Sequence, residues 1–311
     1  MPKFLSANVL VWLILALIWS TTWIFIKVGL GELPPIAFSA ARFLLSVAIL
    51  FVVIKVQRLT LPKTASEWRL AAITGFLQFS INYSCVFWAE QYITSGLAAV
   101  LQATIPVFGL VVGWMFLPEE KVTFQRVAAI LLGIVGVAVI FIDQLRVDNW
   151  LAFVGCVAIV VGAYAAAQAS VLTKAKASNI HPAAFVFCQM LCGLPFIIGY
   201  SLIAEGNPLT FKWSWLALGC ILYLAILGSV AAFWLYYWLL HRVESTKAMM
   251  ISLVTPLLAV VIGAVTLGER LPPQTYFGGM LIVGSIALIV FRRKNAHQRD
   301  SEDTEEIITA A

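Results

Sequence analysis

Pro35-Ile36-Ala37-Phe38, followed by Arg42, returns later in the chain as Pro182-Ala183-Ala184-Phe185, followed by Gln189. The proline, the aromatic and the polar position keep their offsets. A second set behaves the same way. Trp88, Pro106 and Leu117-Pro118-Glu119 are matched, in order and at a constant shift, by Trp238, Pro256 and Leu267-Gly268-Glu269. The chain therefore reads as one unit written twice, over residues 1–147 and 148–294, with a polar tail at 295–311. Each copy holds an odd number of apolar spans, so the second should enter a bilayer from the opposite side. Inverted repeats of this kind recur in secondary transporters, with a site between the halves near the bilayer midplane.

Composition supports a membrane location. Hydrophobic residues make up 62% of the chain and charged residues 11%. A soluble domain carries about 25% charged residues. The net charge of +5 is no nucleic-acid signal, because the basic residues sit in short loops between apolar runs. Cys85, Cys156, Cys188, Cys192 and Cys220 all fall inside apolar runs with no Cys-x-x-Cys pair, and His297 is the only histidine in a hydrophilic tail. Buried free thiols are expected, with no metal site, no cofactor and no disulfide framework. The first apolar run continues past Trp19 and Trp23 to about Leu30 without a small-x-small cleavage site, so it reads as a membrane helix and not as a signal peptide.

Ten spans are expected: 9–30, 36–56, 68–90, 94–117, 123–142, 150–172, 181–203, 214–240, 246–267 and 274–291. Breakers such as Pro34-Pro35, Pro62, Pro118, Asp148-Asn149, Gly206-Asn207-Pro208 and Pro272-Pro273 separate them. The predicted fold class is an all-α polytopic membrane protein, its ten helices arranged as a five-plus-five inverted repeat around a central cavity. With the N-terminus placed in the cytoplasm, cytoplasmic segments hold 15 Lys and Arg residues and the opposite side holds 3, namely Arg146, Lys212 and Arg270. That asymmetry predicts both termini in the cytoplasm.

These pieces resemble the drug/metabolite transporter superfamily, specifically its EamA-type members. The resemblance rests on Ala16-Leu17-Ile18-Trp19-Ser20 with Lys27, on Pro35-x-x-Phe38-x-x-x-Arg42-Phe43, and on Ala98-x-x-x-Gln102 with Pro106. The Leu-Pro-Glu and Leu-Gly-Glu ends of the fourth and ninth spans complete it. It covers residues 9–291. One departure is Val161-Gly162-Ala163-Tyr164, which stands where the family commonly has tryptophan. The resemblance implies a carrier of the bacterial inner membrane that exports amino acids or related small metabolites, other members moving sugars or drugs.

Pro106 and Pro256 fall near the middle of equivalent spans, where each deprives a carbonyl one turn back of its donor; they read as hinges. Polar and aromatic residues at helical spacing mark the expected substrate cavity, since amides facing lipid are costly. They are Gln78, Asn82 and Tyr83 in span three, Gln102 in span four, and Tyr164 and Gln168 in span six. Trp234, Tyr237 and Trp238 in span eight, Ser252 in span nine and Trp19 in span one join them. Lys27, Arg42 and Glu90 lie toward one end of the bundle and form an expected gate, with Lys27 or Arg42 pairing Glu90 or a substrate carboxylate. Trp12, Trp114 and Trp150 read as interfacial anchors, and Glu119 and Glu269 as helix caps. Gly109, Gly113, Gly133, Gly136, Gly279 and Gly284 allow close packing, and spans five and ten read as scaffold or dimer contacts.

Every Asp and Glu lies in a loop, at a span end or in the tail. Proton coupling usually needs a titratable group on the pathway, so movement down the substrate's own gradient is expected. The expected partners are a small-molecule substrate and the lipid bilayer, with no nucleic acid, in a monomer or homodimer. The alternative activity is flipping of a lipid or lipid-linked substrate through a groove open to the bilayer. An intramembrane enzyme is disfavoured, because His181 and His241 sit at helix ends without an acid partner.

Overall fold

The computed structural model describes residues 6–267 and 272–289, all helix, turn or loop. Eight helices are long and apolar enough to cross a membrane: α1 (Ala7–Leu30), α2 (Pro35–Gln57), α3 (Ala65–Ala89), α4 (Ser95–Phe116), α6 (Trp150–Lys176), α7 (Pro182–Ala204), α8 (Trp215–Leu240) and α9 (Ser245–Val265). Two shorter apolar helices are α5 (Phe124–Ile140) and α10 (Pro273–Ile289). The 17 residues of α5 rise about 25 Å, at the low end of what a bilayer core requires. The expected spans thus correspond one for one to helices, with ends shifted by a few residues. The Leu-Gly-Glu end at 267–269, Glu269 included, lies largely outside the described residues.

Local chemistry sets where these helices begin. Pro35 and Pro182 open α2 and α7, where a missing amide hydrogen costs nothing. Thr64 and Glu67 form a reciprocal capping box at α3. The side chains of Thr94, Thr123, Asn149 and Ser214 cap α4, α5, α6 and α8 by accepting a first-turn N–H. The α5 cap is therefore Thr123 and not Glu119, which is exposed. The start of α2 is also capped from the other half of the chain. Glu205, just beyond α7, accepts from the Ile36 and Ala37 amides at 2.7 Å each.

Regular α-helix is interrupted at matching places in the two halves. The middle of α3, Phe76–Asn82, is wound as π-helix, and so is Leu224–Ala231 in α8. Two other helices are discontinuous. In α4, Ser95–Gln102 ends in a turn at Ala103-Thr104 before Ile105–Phe116 begins, and Pro106 occupies the second position of the new segment. In α9, Ser245–Met249 stops at Met250 before a second segment begins at Ile251, with Pro256 inside it. Spanning helices with such breaks occur where the freed backbone faces protein or a water-filled cavity.

Packing relations cross between the halves. Helix α4 lies on α6 and α9 lies on α1; α3 packs on α6 and α7, while α8 packs on α1 and α2. Helices α2 and α7 pack against each other. The repeated polar position of each copy reaches into the other. Arg42 of α2 donates to Ser229 Oγ (2.7 Å) and Gly228 O (3.0 Å) in α8. Gln189 of α7 donates to Thr74 of α3 (2.6 Å) and Thr173 of α6 (3.2 Å). Two crossings need glycine. A Cβ on Gly193 would stand 2.8 Å from Gly75 O, and one on Gly136 would stand 2.7 Å from Gly278 O, so α3–α7 and α5–α10 meet backbone to backbone. Outward faces are apolar, as at Phe51, Leu131, Phe196 and Met280. Trp114 and Trp150 are exposed as anchors would be, whereas Trp12 is half-buried and donates to Lys247 O at 3.1 Å.

Candidate functional site

A cavity of ≈ 160 Å³ lies among α1, α2, α3, α4, α6, α8 and α9. Liquid water takes about 30 Å³ per molecule, so this space holds roughly five waters or one small solute. Both halves of the chain build its wall. Helix α1 supplies Trp19, Thr22, Trp23 and Ile26, and α2 supplies Arg42. The π-wound stretch of α3 and the turn after it supply Gln78, Asn82 and Tyr83. Residues on both sides of each helix break also face it: Gln102 and Ile105 in α4, Met249 and Ile251 in α9. Ser252, Thr255 and Pro256 extend the α9 wall.

The π-winding has a direct consequence for the site. Each π turn inserts an extra residue and rotates the helix beyond it, which is why π segments recur at functional positions. In α3 it spans Gln78 and Asn82, and Tyr83 follows directly. Gln102 Nε2 then reaches Asn82 Oδ1 at 3.4 Å, joining α4 to α3 across the cavity wall. Opposite them, Trp19 packs against Phe233 and Tyr236, with ring centroids 5.8 and 5.3 Å away. Phe233 also meets Tyr83 edge-on at 6.4 Å, which closes an aromatic collar from α1 through α8 to α3.

Of the residues expected at a site, the cavity gathers Trp19, Gln78, Asn82, Tyr83, Gln102 and Ser252, together with Arg42 and Pro256. It does not gather Tyr164, Gln168, Trp234, Tyr237 or Trp238. Tyr164 is 44% exposed and meets Phe108 edge-on at 5.6 Å on the outside of α6. Gln168 is half-buried away from the cavity, where Ala166 and Ser170 stand instead. On α8 the cavity face is Phe233 and Tyr236. Trp234 packs on His181, Tyr237 is buried against Phe185, and Trp238 lies under the Arg242 guanidinium at 3.9 Å. Trp234, Tyr237 and Trp238 share one face of the regular segment Ala232–Leu240, and it is the neighbouring face, with Phe233 and Tyr236, that meets the cavity.

The expected gate shows no direct ion pair, although Lys27 lies close enough to Glu90 to act on its charge. No ion pair joins Lys27 or Arg42 to Glu90 among the described residues. Lys27 is exposed, Glu90 Oε1 is buried without a hydrogen-bond partner, and Arg42 is committed to α8. Pro106 is buried beside the α4 break but does not line the cavity.

An ionic cluster that the sequence did not disclose lies where α4, α6 and α9 meet. Glu120 is 4% exposed. It accepts from the Ser245 amide at 2.8 Å, bonds the Ser245 hydroxyl, and pairs with Lys174 at 2.7 Å. Beside it, Glu244 pairs with Arg126 and, at 2.6 Å, with Lys247. The first-half loop after α4 is thereby tied to the start of α9 and the end of α6 in the second half. The sequence offered a signal, a Glu-Glu pair after α4, but only Glu119 of that pair matches the repeat.

The comparisons agree with this architecture. The EamA-like transporter family matches twice, at residues 6–142 and 153–291. Among curated proteins, the uncharacterized transporter YoaV of Bacillus subtilis is 26% identical over 281 residues, covering 89% of this chain and 96% of that protein. The uncharacterized inner membrane transporter YedA of Escherichia coli is 27% identical over 278 residues, covering 88% of each chain. A solved crystal structure superposes with a TM-score of 0.76 at 18% identity, over 94% of this chain and 99% of that one, and so shares the fold. With two matches that together span most of its length, the chain belongs to the EamA-like transporter family.

Proposed function

We propose that this transporter is a secondary carrier that moves small polar or zwitterionic metabolites, amino acids among them, out of the cell by alternating access. The observation that carries this reading is a cavity walled by both halves and bordered by the breaks in α4 and α9. Discontinuous helices at a shared interface suit a carrier whose halves rock around a fixed site. The crossed packing of α4 on α6 and α9 on α1 supports opposite threading of the two halves. The cavity volume supports a small solute over a lipid-linked one.

In this reading Glu120, Lys174 and Ser245 hold one end of the pathway shut. The basic residues of the neighbouring segments support a cytoplasmic position for that end. Movement then needs the cluster to part while the segments beyond Ala103-Thr104 and Met250 swing, with Pro106 and Pro256 lowering the cost of bending there. The wall contains no Asp, Glu, His or Lys, which supports passage down the solute's own gradient.

Counterflow in proteoliposomes with a panel of labelled amino acids and metabolites tests the proposal. At least one solute should exchange, and substitution of Gln78, Asn82 or Gln102 should change which solutes are preferred. Substitutions that alter the amount of protein but never its preference would remove these residues from the site.

A further inference from the structure

The cavity wall holds one fixed charge and no counter-charge. Arg42 is 1% exposed, and its guanidinium stays protonated at any physiological pH. Two of its nitrogens are spent: Nε donates to Ser229 Oγ and Nη2 to Gly228 O. Aromatic rings attend it as well, Tyr83 at 5.0 Å and Phe43 at 5.2 Å from the guanidinium carbon. Nη1 is left buried without a hydrogen-bond partner, while the Tyr83 side chain interacts electrostatically with the guanidinium. None of the three ion pairs among the described residues includes Arg42, and no carboxylate lines the cavity. A buried cation without an anion is costly, so such groups are normally paired.

Two independent features of the same cavity favour an anion. Trp19, on the wall, carries a second buried donor without a partner, Nε1. The second segments of α4 and α9, from Ile105 and from Ile251, also begin at the cavity, each with its first residue on the wall. Helix N-termini carry partial positive charge, and half-helices of carriers use it against anionic solute groups.

Resting on the carrier reading of this cavity, we propose that the substrate is a small organic acid or amino acid whose carboxylate is held by Arg42 Nη1, with Trp19 Nε1 as a second donor. Gly228 keeps the guanidinium in place. A Cβ there would lie 2.9 Å from Thr22 Cγ2 and 3.2 Å from Arg42 Nη2, so any larger residue would push the guanidinium off its mark. The aromatic collar of Trp19, Phe233 and Tyr236 takes the apolar remainder of the solute. Amines without an acid group find a cation in the wall and no anion, and are refused.

The test uses matched triples of probes that share one side chain. Leucine, 3-methylbutylamine and 4-methylpentanoate form one; phenylalanine, phenethylamine and 3-phenylpropionate form another. Thermal stabilisation of the purified full-length protein and counterflow are read in parallel. Within at least one triple, the amino acid or the acid should stabilise the protein while the amine does not. Arg42→Gln should weaken that binding about tenfold or more, the loss of one charge-assisted hydrogen bond. Trp19→Phe, which removes the indole N–H and trims the ring while keeping an aromatic side chain, should weaken it by a smaller factor. It serves alone if Arg42→Gln fails to fold. The proposal is overturned if the amines bind as well as the acids, if no carboxylate probe binds, or if Arg42→Gln folds and keeps full carboxylate affinity. It is also overturned if Trp19→Phe has to stand alone and binds carboxylates like the parent protein. Counterflow of amines alone would leave the carrier standing and sink the carboxylate site. Binding of carboxylates without counterflow would do the reverse.

Discussion

Which way a side chain faces on α8 decides its role, and residue types alone do not reveal it. Phe233 and Tyr236 stand on the cavity wall, while Trp234, Tyr237 and Trp238, equally aromatic, do not. Tyr236 is further fixed by donating to Ser170 Oγ at 3.2 Å. An aromatic contact with a solute is worth about 1 kcal/mol, which is roughly fivefold in affinity. Tyr236→Ala should therefore raise the half-saturating solute concentration in counterflow about fivefold, and Trp238→Ala should leave it unchanged. Equal effects at the two positions would mean that the cavity face of α8 is misassigned. The sequence made the polar half of the wall legible, since Gln78, Asn82 and Gln102 have no tolerable place facing lipid. It could not do the same for α8, whose apolar residues surround the helix and leave no stripe to follow.

At the scale of elements, the informative features are where regular helix gives way. Proline signalled both discontinuous helices, yet neither break falls on a proline: α4 turns at Ala103-Thr104 and α9 at Met250. The π-wound stretches Phe76–Asn82 and Leu224–Ala231 carry no residue type that announces them, and each packs on helices of the other half. The Glu120 cluster was hidden for another reason. Its partners Lys174 and Ser245 are remote in sequence and meet only in the folded bundle. Glu120→Ala removes the acceptor for the Ser245 amide and leaves Lys174 without its carboxylate. The loss of a buried charge-assisted hydrogen bond, about 1.5–3 kcal/mol, should speed hydrogen exchange in Ser245–Met249 by about ten- to a hundredfold. Unchanged exchange in that segment would show that the cluster does not latch the start of α9.

Over the whole molecule, duplication explains most of what the sequence disclosed. A pattern such as Pro35-x-x-Phe38-x-x-x-Arg42 repeated at Pro182 survives because each copy meets the same structural demand. That demand is a helix start marked by proline, then a buried polar group bonded into the opposite half. The copies have diverged where the cavity needs asymmetry. Arg42 brings a charge and Gln189 does not; Gln102 faces the cavity from α4 while Ser252 faces it from α9. Helices α5 and α10 stand apart from the cavity and meet at Gly136 and Gly278, as supports for the helices that line it.

The claim on which everything else rests is that the space enclosed by the two halves is the route of the solute. Sided labelling of Ser252→Cys tests it most directly, in a protein whose five native cysteines have been replaced. A membrane-impermeant thiol reagent should reach position 252 from the membrane face on which the cavity is open. Its attachment should stop counterflow, and saturating solute should slow the labelling. A thiol at that position that no reagent reaches from either face, or one that is modified while counterflow continues undiminished, would contradict the account.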